Sequence, residues 1–310
     1  MIDTYVHHEA LMDTVVTVEV VGHGDTGTDR AERANAVARA IEWFRAVEVA
    51  CSRFDPGSEV GALARRAGQS TPVSPMVFEA VSFAIALAEE TDGAFDPTVG
   101  ALMVARGFNR EYRSGAVVGV PADAAEGVSF RDVALDATRR TITLRRALVL
   151  DLGAVAKGLA IDLAARELQP FGDFAIDAGG DLYLAGRNRA GARWAVGVRD
   201  PRHESRVLET LHVSDAAVCT SGDYARRARG ETEGHHIVDP RTGSSANELA
   251  SVSVIAPTAL AADALGTAAF VLGASRALAL FARHGVEGLI VTAELERVET
   301  PGLRRYCEAA

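Results

Sequence analysis

Residues 151–158 read Asp-Leu-Gly-Ala-Val-Ala-Lys-Gly and lie between two apolar segments of different period. Before them runs Ala147-Leu148-Val149-Leu150, a continuous apolar stretch that predicts a buried strand. After them Leu159, Ala160, Leu163 and Ala164 recur at the spacing of one helix face. The motif is therefore expected to be a strand-to-helix turn, with Asp151 where the strand meets solvent. Its two glycines let the backbone approach a ligand closely. Lys157 offers a point charge suited to phosphate, and the first amides of a helix attract anions. An acid, a lysine and open amides in one turn suit a phosphate and metal corner. A glycine-rich turn carrying a surface lysine is the other reading of the same residues.

The rest of the chain alternates short strands with helices. Strands are expected at 15–21, on either side of the turn at 137–140, and at 174–177, 181–185, 194–198, 209–213, 251–255 and 288–292. Helices are expected at 29–50, 75–91, from the 151–158 corner to about Leu168, and at 259–272 and 275–283. Residues 114–127, rich in Gly, Ala and Pro, read as a surface excursion. Helices mixed with hairpins predict the α+β class, with a largely antiparallel sheet and packed helices, and argue against a doubly wound parallel sheet. No linker or repeat divides the chain, so residues 1–310 are expected to form a single compact domain.

Charge and cysteines narrow the function. Lys+Arg 32 against Asp+Glu 42 gives a net charge of −10, which speaks against a nucleic-acid surface. Cys51, Cys219 and Cys307 are widely spaced and form no CxxC pair, so a zinc site or disulfide framework is not expected. No apolar stretch reaches the roughly 18 residues of a membrane span, and Met1–Tyr5 carries no basic or apolar signal segment. These features together predict a cytoplasmic protein with reduced thiols.

Several other loops are dense in chemistry. GAFDPTVG at 93–100 sets an acid, a proline and a threonine between glycines. DAGGDLYLAG at 177–186 reads as a close-approach turn, and TSGDYARR at 220–227 and HHIVDPRTG at 235–243 as polar loops. Asp263 and Thr267 are four residues apart on an expected helix and share a face. A carboxylate and a hydroxyl on one face suit Mg²⁺, a hard cation that takes oxygen ligands. Each motif also has a structural reading: Asp-Pro is a common turn former, and a threonine in a helix can bond back to its own backbone.

Taken together and in order, these blocks resemble the FAD:protein FMN transferases, the ApbE or thiamine-biosynthesis-lipoprotein-like family. The resemblance runs from Met12 to about Gly273. It implies an ApbE-like, T-fold-like architecture. It also implies transfer of FMN from FAD to a Thr or Ser hydroxyl of an acceptor protein, with Mg²⁺ required and AMP released. Met12, Phe54 (an aromatic, usually tyrosine), Ala94, Phe95, Asp96, Asp151, Lys157 and Ile237 match the family's FAD contacts. The carbonyl of Ala154, Asp263 and Thr267 match its metal ligands. His236 matches the histidine proposed as general base, which leaves His235 a structural part.

The chain also departs from the family pattern. Met12-Asp13-Thr14 stands where the family usually reads Met-Gly-Thr, Ser244-Ser245 where Tyr-Pro is frequent, and Ala101-Leu102 where Pro-Leu is usual. The family's usual lipoprotein leader is not read at the start of this sequence, and a cytoplasmic branch of the family is the expectation. Hydrolysis of FAD to FMN and AMP, and non-catalytic flavin binding, are the alternative activities. The segment 239–245 looks like an acceptor sequence, but its Asp-Pro turn argues against self-attachment of FMN at Ser245.

Overall fold

Met12 and Asp13 both have positive φ, 53° and 62°. They form the two-residue loop that returns strand β1 (Thr4–Leu11) along β2 (Thr14–Val21), with Leu11 paired to Thr14. A two-residue hairpin loop with both φ values positive is the type I′ turn, whose twist matches that of its strands. This computed structural model of the chain describes residues 4–22, 27–112, 115, 117–119, 124–225 and 234–308. The described chain divides into two compact units. One comprises Met1–Ala46, Lys157–Gly222 and Glu248–Ala310, the other Val47–Ala156 and Asp223–Asn247.

The helices are α1 (Gly27–Cys51), α2 (Glu59–Arg65), α3 (Pro75–Glu90), α4 (Gly100–Ala105), α5 (Gly153–Leu168), α6 (Ala259–Leu272), α7 (Ala274–His284) and α8 (Arg304–Cys307). The further strands are β3 (Thr71–Pro72), β4 (Val133–Asp136), β5 (Thr141–Leu144), β6 (Phe174–Ala178), β7 (Asp181–Ala185) and β8 (Trp194–Arg199). They continue with β9 (Val207–Val213), β10 (Ala216–Gly222), β11 (Leu249–Ala256), β12 (Glu287–Thr292) and β13 (Arg297–Glu299).

In the first unit an eight-stranded sheet runs β1-β2-β6-β7-β10-β11-β12-β13, with every neighbouring pair antiparallel. The α+β, antiparallel expectation is borne out. All eight residues of β11 are buried, as expected of a central strand covered on both faces. Helix α6 packs on β10 and β11 and buries twelve of its fourteen residues. Thr258 caps it by accepting the Ala261 amide, and Gly273 ends it at φ 77°. The β8–β9 hairpin contributes Trp194, Val198, Leu211 and Val213 to an apolar cluster with Val218, Ile255 and Leu289.

The second unit holds the three-stranded sheet β3-β5-β4. Helix α3 starts at a Ser74 cap with Pro75 in its first turn, and buries Val77, Ala80, Val81, Ala84, Ile85, Leu87 and Ala88. The strand expected at 147–150 does not form. Leu148 and Leu150 are buried at 2% and 1% exposure, but the backbone bonds go to loops: Ala147 O accepts from Ala125 N, Val149 O from Gly100 N, and Asp151 N donates to Pro97 O. Burial without a neighbouring strand explains the continuous apolar run. Part of the 114–127 excursion lies outside the described residues.

Candidate functional site

Helix α5 carries Ala154 in its first turn and Lys157 one turn later. The Lys157 side chain is 20% exposed, and its Nζ lies 3.2 Å from Asp263 Oδ2 on α6. It also pairs with Oδ2 of Asp181, the first residue of β7. The two acids are buried, with side chains 7% and 10% exposed for Asp181 and Asp263. Asp181 Oδ1 accepts the amide of Thr220 near the end of β10. One turn along α6 from Asp263, Thr267 Oγ1 is 3.4 Å from Ser221 Oγ. Two carboxylates, two hydroxyls and one ammonium therefore meet where β7, β10, α5 and α6 come together.

The register of α6 against α5 is fixed by one carboxylate on backbone amides. Asp162 of α5 accepts the Ala259 amide at 2.7 Å and the Leu260 amide at 2.9 Å, one carboxylate oxygen to each. These are open donors at a helix N-terminus, where an anion is also favoured by the helix dipole. Gly158 lets the helices approach, since a Cβ there would stand 2.5 Å from the Ala259 carbonyl oxygen. Asp263 follows Ala259 by about one helical turn, so the same clamp sets its height opposite Lys157.

In the second unit Asp151 Oδ1 accepts the Gly153 amide at 2.8 Å as α5 opens. Its Oδ2 pairs with Arg53 Nε at 2.8 Å. The Arg53 guanidinium lies 4.1 Å from the Phe54 ring centre, and its Nη2 donates to the Phe108 carbonyl at 2.6 Å. Two residues expected at the FAD site, Phe54 and Asp151, are thus held by one arginine. In the 93–100 loop Ala94, Phe95 and Asp96 are buried. Both Asp96 oxygens are engaged: Oδ1 accepts from the Thr98 amide and hydroxyl, and Oδ2 from the Phe130 amide. The Asp96 carboxylate therefore shapes the loop.

The adjacent histidines differ. His235 is buried, its Nε2 lies 2.7 Å from the Ala246 carbonyl, and its Nδ1 accepts the Ile237 amide at 3.2 Å. That pairing puts the proton on Nε2 and uses both ring nitrogens in the fold. His236 is half-buried and meets the Phe108 ring edge-on with centroids 6.5 Å apart. Ile237 is buried at 3% exposure. The loop after them is pinned by Arg106, which donates to the Gly243 carbonyl and to Ser245 Oγ.

Asp181, Arg53 and Asp162 are not among the residues to which the sequence motifs point. Asp181 had a usable signal, an acid directly after Gly179 and Gly180. Arg53 and Asp162 had none beyond lying beside other motif residues. Met12 sits in the β1–β2 turn of the first unit. For Mg²⁺ the donors at Asp263 and Thr267 are hard oxygens and fit. Among the described residues no three His, Cys, Asp or Glu side chains cluster for a metal, so the donor set that fits is a mixed one of carboxylate and hydroxyl. No described helix is long and apolar enough to cross a membrane.

A model of the ApbE family matches residues 12–290. The chain is 31% identical to the FAD:protein FMN transferase of Haemophilus influenzae over 287 residues, covering 86% of this chain and 80% of that one. It is 34% identical to the protein of the same name from Treponema pallidum over 285 residues, covering 84% and 78%. The crystal structure of the ApbE protein from Thermotoga maritima superimposes with a TM-score of 0.84 at 29% identity, over 99% of this chain and all of that one. Pseudomonas stutzeri flavinyl transferase ApbE gives 0.80 at 26% identity, over 100% and 98%.

Proposed function

This chain belongs to the ApbE family and is an FAD:protein FMN transferase, and we propose that it works with Mg²⁺ on a Thr or Ser hydroxyl of its acceptor. The observation that carries the metal reading is the Asp263–Thr267 pair on one face of α6, with Lys157 opposite Asp263. Asp263, Thr267 and the carbonyl of Ala154 would be its ligands. When bound, Mg²⁺ neutralises charge on the FAD diphosphate and makes its phosphorus easier to attack.

The chain's own residues do the rest. Lys157 supplies a positive charge for the diphosphate, held by Asp181 when Asp263 is engaged elsewhere. Asp151 and the opening amides of α5 orient FAD, with Met12, Phe54, Ala94, Phe95, Asp96 and Ile237 as its further contacts. His236 takes the proton of the acceptor hydroxyl, because a hydroxyl is a weak nucleophile until a base removes that proton. His235 cannot share this work while both its nitrogens are committed to Ala246 and Ile237. The whole of 1–310 serves as one transferase domain. Three free cysteines, two of them buried, support a reducing cytoplasm as its setting.

Incubation with FAD, Mg²⁺ and a candidate acceptor tests the reading. Flavinylated acceptor with AMP released is the expected result. Free FMN and AMP without acceptor labelling would make the chain a hydrolase, and unchanged FAD would leave it a binder.

A further inference from the structure

Arg53 Nη1 is buried and has no hydrogen-bond partner among the described residues. The side chain is 9% exposed. Its other nitrogens are used: Nε on Asp151 and Nη2 on the Phe108 carbonyl. The guanidinium plane covers one side of Phe54 at 4.1 Å. A buried guanidinium N–H without an acceptor is costly, and native sites rarely keep one unless a ligand or water completes it.

We infer that Arg53 is a FAD-recognition residue: it holds Asp151 and Phe54 in place and donates an N–H of its unpartnered Nη1 to an oxygen acceptor on the FMN half of FAD. This rests on the reading of Asp151 and Phe54 as FAD contacts. The fork geometry is what allows it. A guanidinium can pair with a carboxylate, reach a carbonyl and stack on a ring while leaving one edge for a ligand, whereas an ammonium cannot do all four. The FMN half is assigned because Phe54, the ring that Arg53 covers, is read as a FAD contact, and an aromatic ring suits the flat apolar flavin better than the charged diphosphate.

The test measures binding of FAD, FMN and AMP by flavin fluorescence and calorimetry, on wild type, Arg53→Met, Arg53→Lys, Asp151→Asn and the double variant Arg53→Met/Asp151→Asn. Arg53→Met should weaken FAD and FMN binding by roughly 10- to 100-fold, the effect of one charge-assisted hydrogen bond, and leave AMP binding unchanged. KM for FAD should rise while kcat at saturation stays within a few fold. Arg53→Lys keeps a cation beside Asp151 and should still lose most of that affinity; it carries the test if Arg53→Met does not fold. The double variant should bind FAD more weakly than either single one. A double variant no weaker than Asp151→Asn alone would mean that Arg53 acts only through Asp151, and the contact would be overturned. Wild-type affinity in Arg53→Lys, or a loss confined to AMP, would overturn it as well. If Asp151→Asn itself binds FAD normally, the reading of Asp151 fails instead, which the Arg53 variants alone would not reveal.

Discussion

Lys157 Nζ stands 3.2 Å from Asp263 Oδ2 while also pairing with Asp181, so one largely buried ammonium serves two buried acids. Removing the lysine and removing one acid are therefore unequal changes. In metal-free buffer Lys157→Met leaves two buried carboxylates with no cation between them and should cost roughly 3–5 kcal/mol of stability, the usual result of stripping a buried pair of its partner. Asp263→Ala leaves Lys157 on Asp181 and should unfold at nearly the wild-type urea concentration, while abolishing transfer. Equal destabilisation by the two substitutions would contradict the sharing.

The two histidines should separate kinetically. His236→Ala should lower kcat by roughly 10²–10⁴-fold, the range for loss of a general base, with little change in the KM for FAD. His235→Ala removes two hydrogen bonds from a buried loop and should mainly lower stability, by about 1–3 kcal/mol, seen as a lower melting temperature. The acid limb of the pH–rate profile should disappear in His236→Ala alone. Its persistence would move the base elsewhere.

Burial pushes the Cys51 thiol up from its ordinary 9.0 to about 12, with the Glu59 carboxylate adding to the effect. Below pH 9 the thiol is protonated in both the folded and the unfolded chain, and its ionisation affects neither. Between pH 9 and 12 the unfolded chain loses this proton and the folded chain keeps it, so stability falls as pH rises. Cys51→Ala should flatten that fall, read as urea midpoints from pH 8 to 11. Identical slopes in the two proteins would remove Cys51 from the account.

Asp13 sits at φ 62° in a turn where glycine carries no penalty. Aspartate tolerates this region better than most residues but still pays for its Cβ. Asp13→Gly should stabilise the β1–β2 hairpin by roughly 0.5–1 kcal/mol, measured by urea unfolding. Destabilisation would show that the side chain's own contacts outweigh the backbone strain.

Legibility followed the physics of each element. Helices α3 and α5 are readable because their apolar residues recur at helical spacing; the caps at Ser74 and Thr258 that start α3 and α6 emerge from the structure. Strand β1 was missed because it is an edge strand whose residues alternate weakly between half-buried and exposed. Short α2 and α4 offered too few turns for a period. The run at 147–150 misled because apolar burial alone does not say where backbone bonds go. At the site, Asp151, Lys157, Asp263 and Thr267 were visible through motif spacing. Arg53 was not, since its importance lies in a partner distant in sequence, Asp151; Asp181 carried only the signal of the Gly179-Gly180 turn before it, which says nothing of its pairing with Lys157.

The acceptor-like segment 239–245 should stay unmodified. Ser245 Oγ donates to the His235 carbonyl at 2.8 Å and accepts from the His235 amide at 3.1 Å and Arg106 Nη2 at 2.8 Å. A nucleophile needs its lone pair and proton available, with the oxygen roughly 3–3.5 Å from phosphorus in line with the leaving group. Ser245 has both committed, in a loop closed by the Val238–Ser245 bridge and by the Asp239 amide donating to the Ser244 carbonyl at 2.8 Å. Freeing the hydroxyl would break three hydrogen bonds worth about 1 kcal/mol each and expose the His235 backbone beside the proposed base. Intact mass after incubation with FAD and Mg²⁺ should therefore equal the chain mass. Ser245→Ala should leave that mass pattern unchanged and lower stability. A gain of one FMN phosphoester that vanishes in Ser245→Ala would prove the loop an acceptor after all.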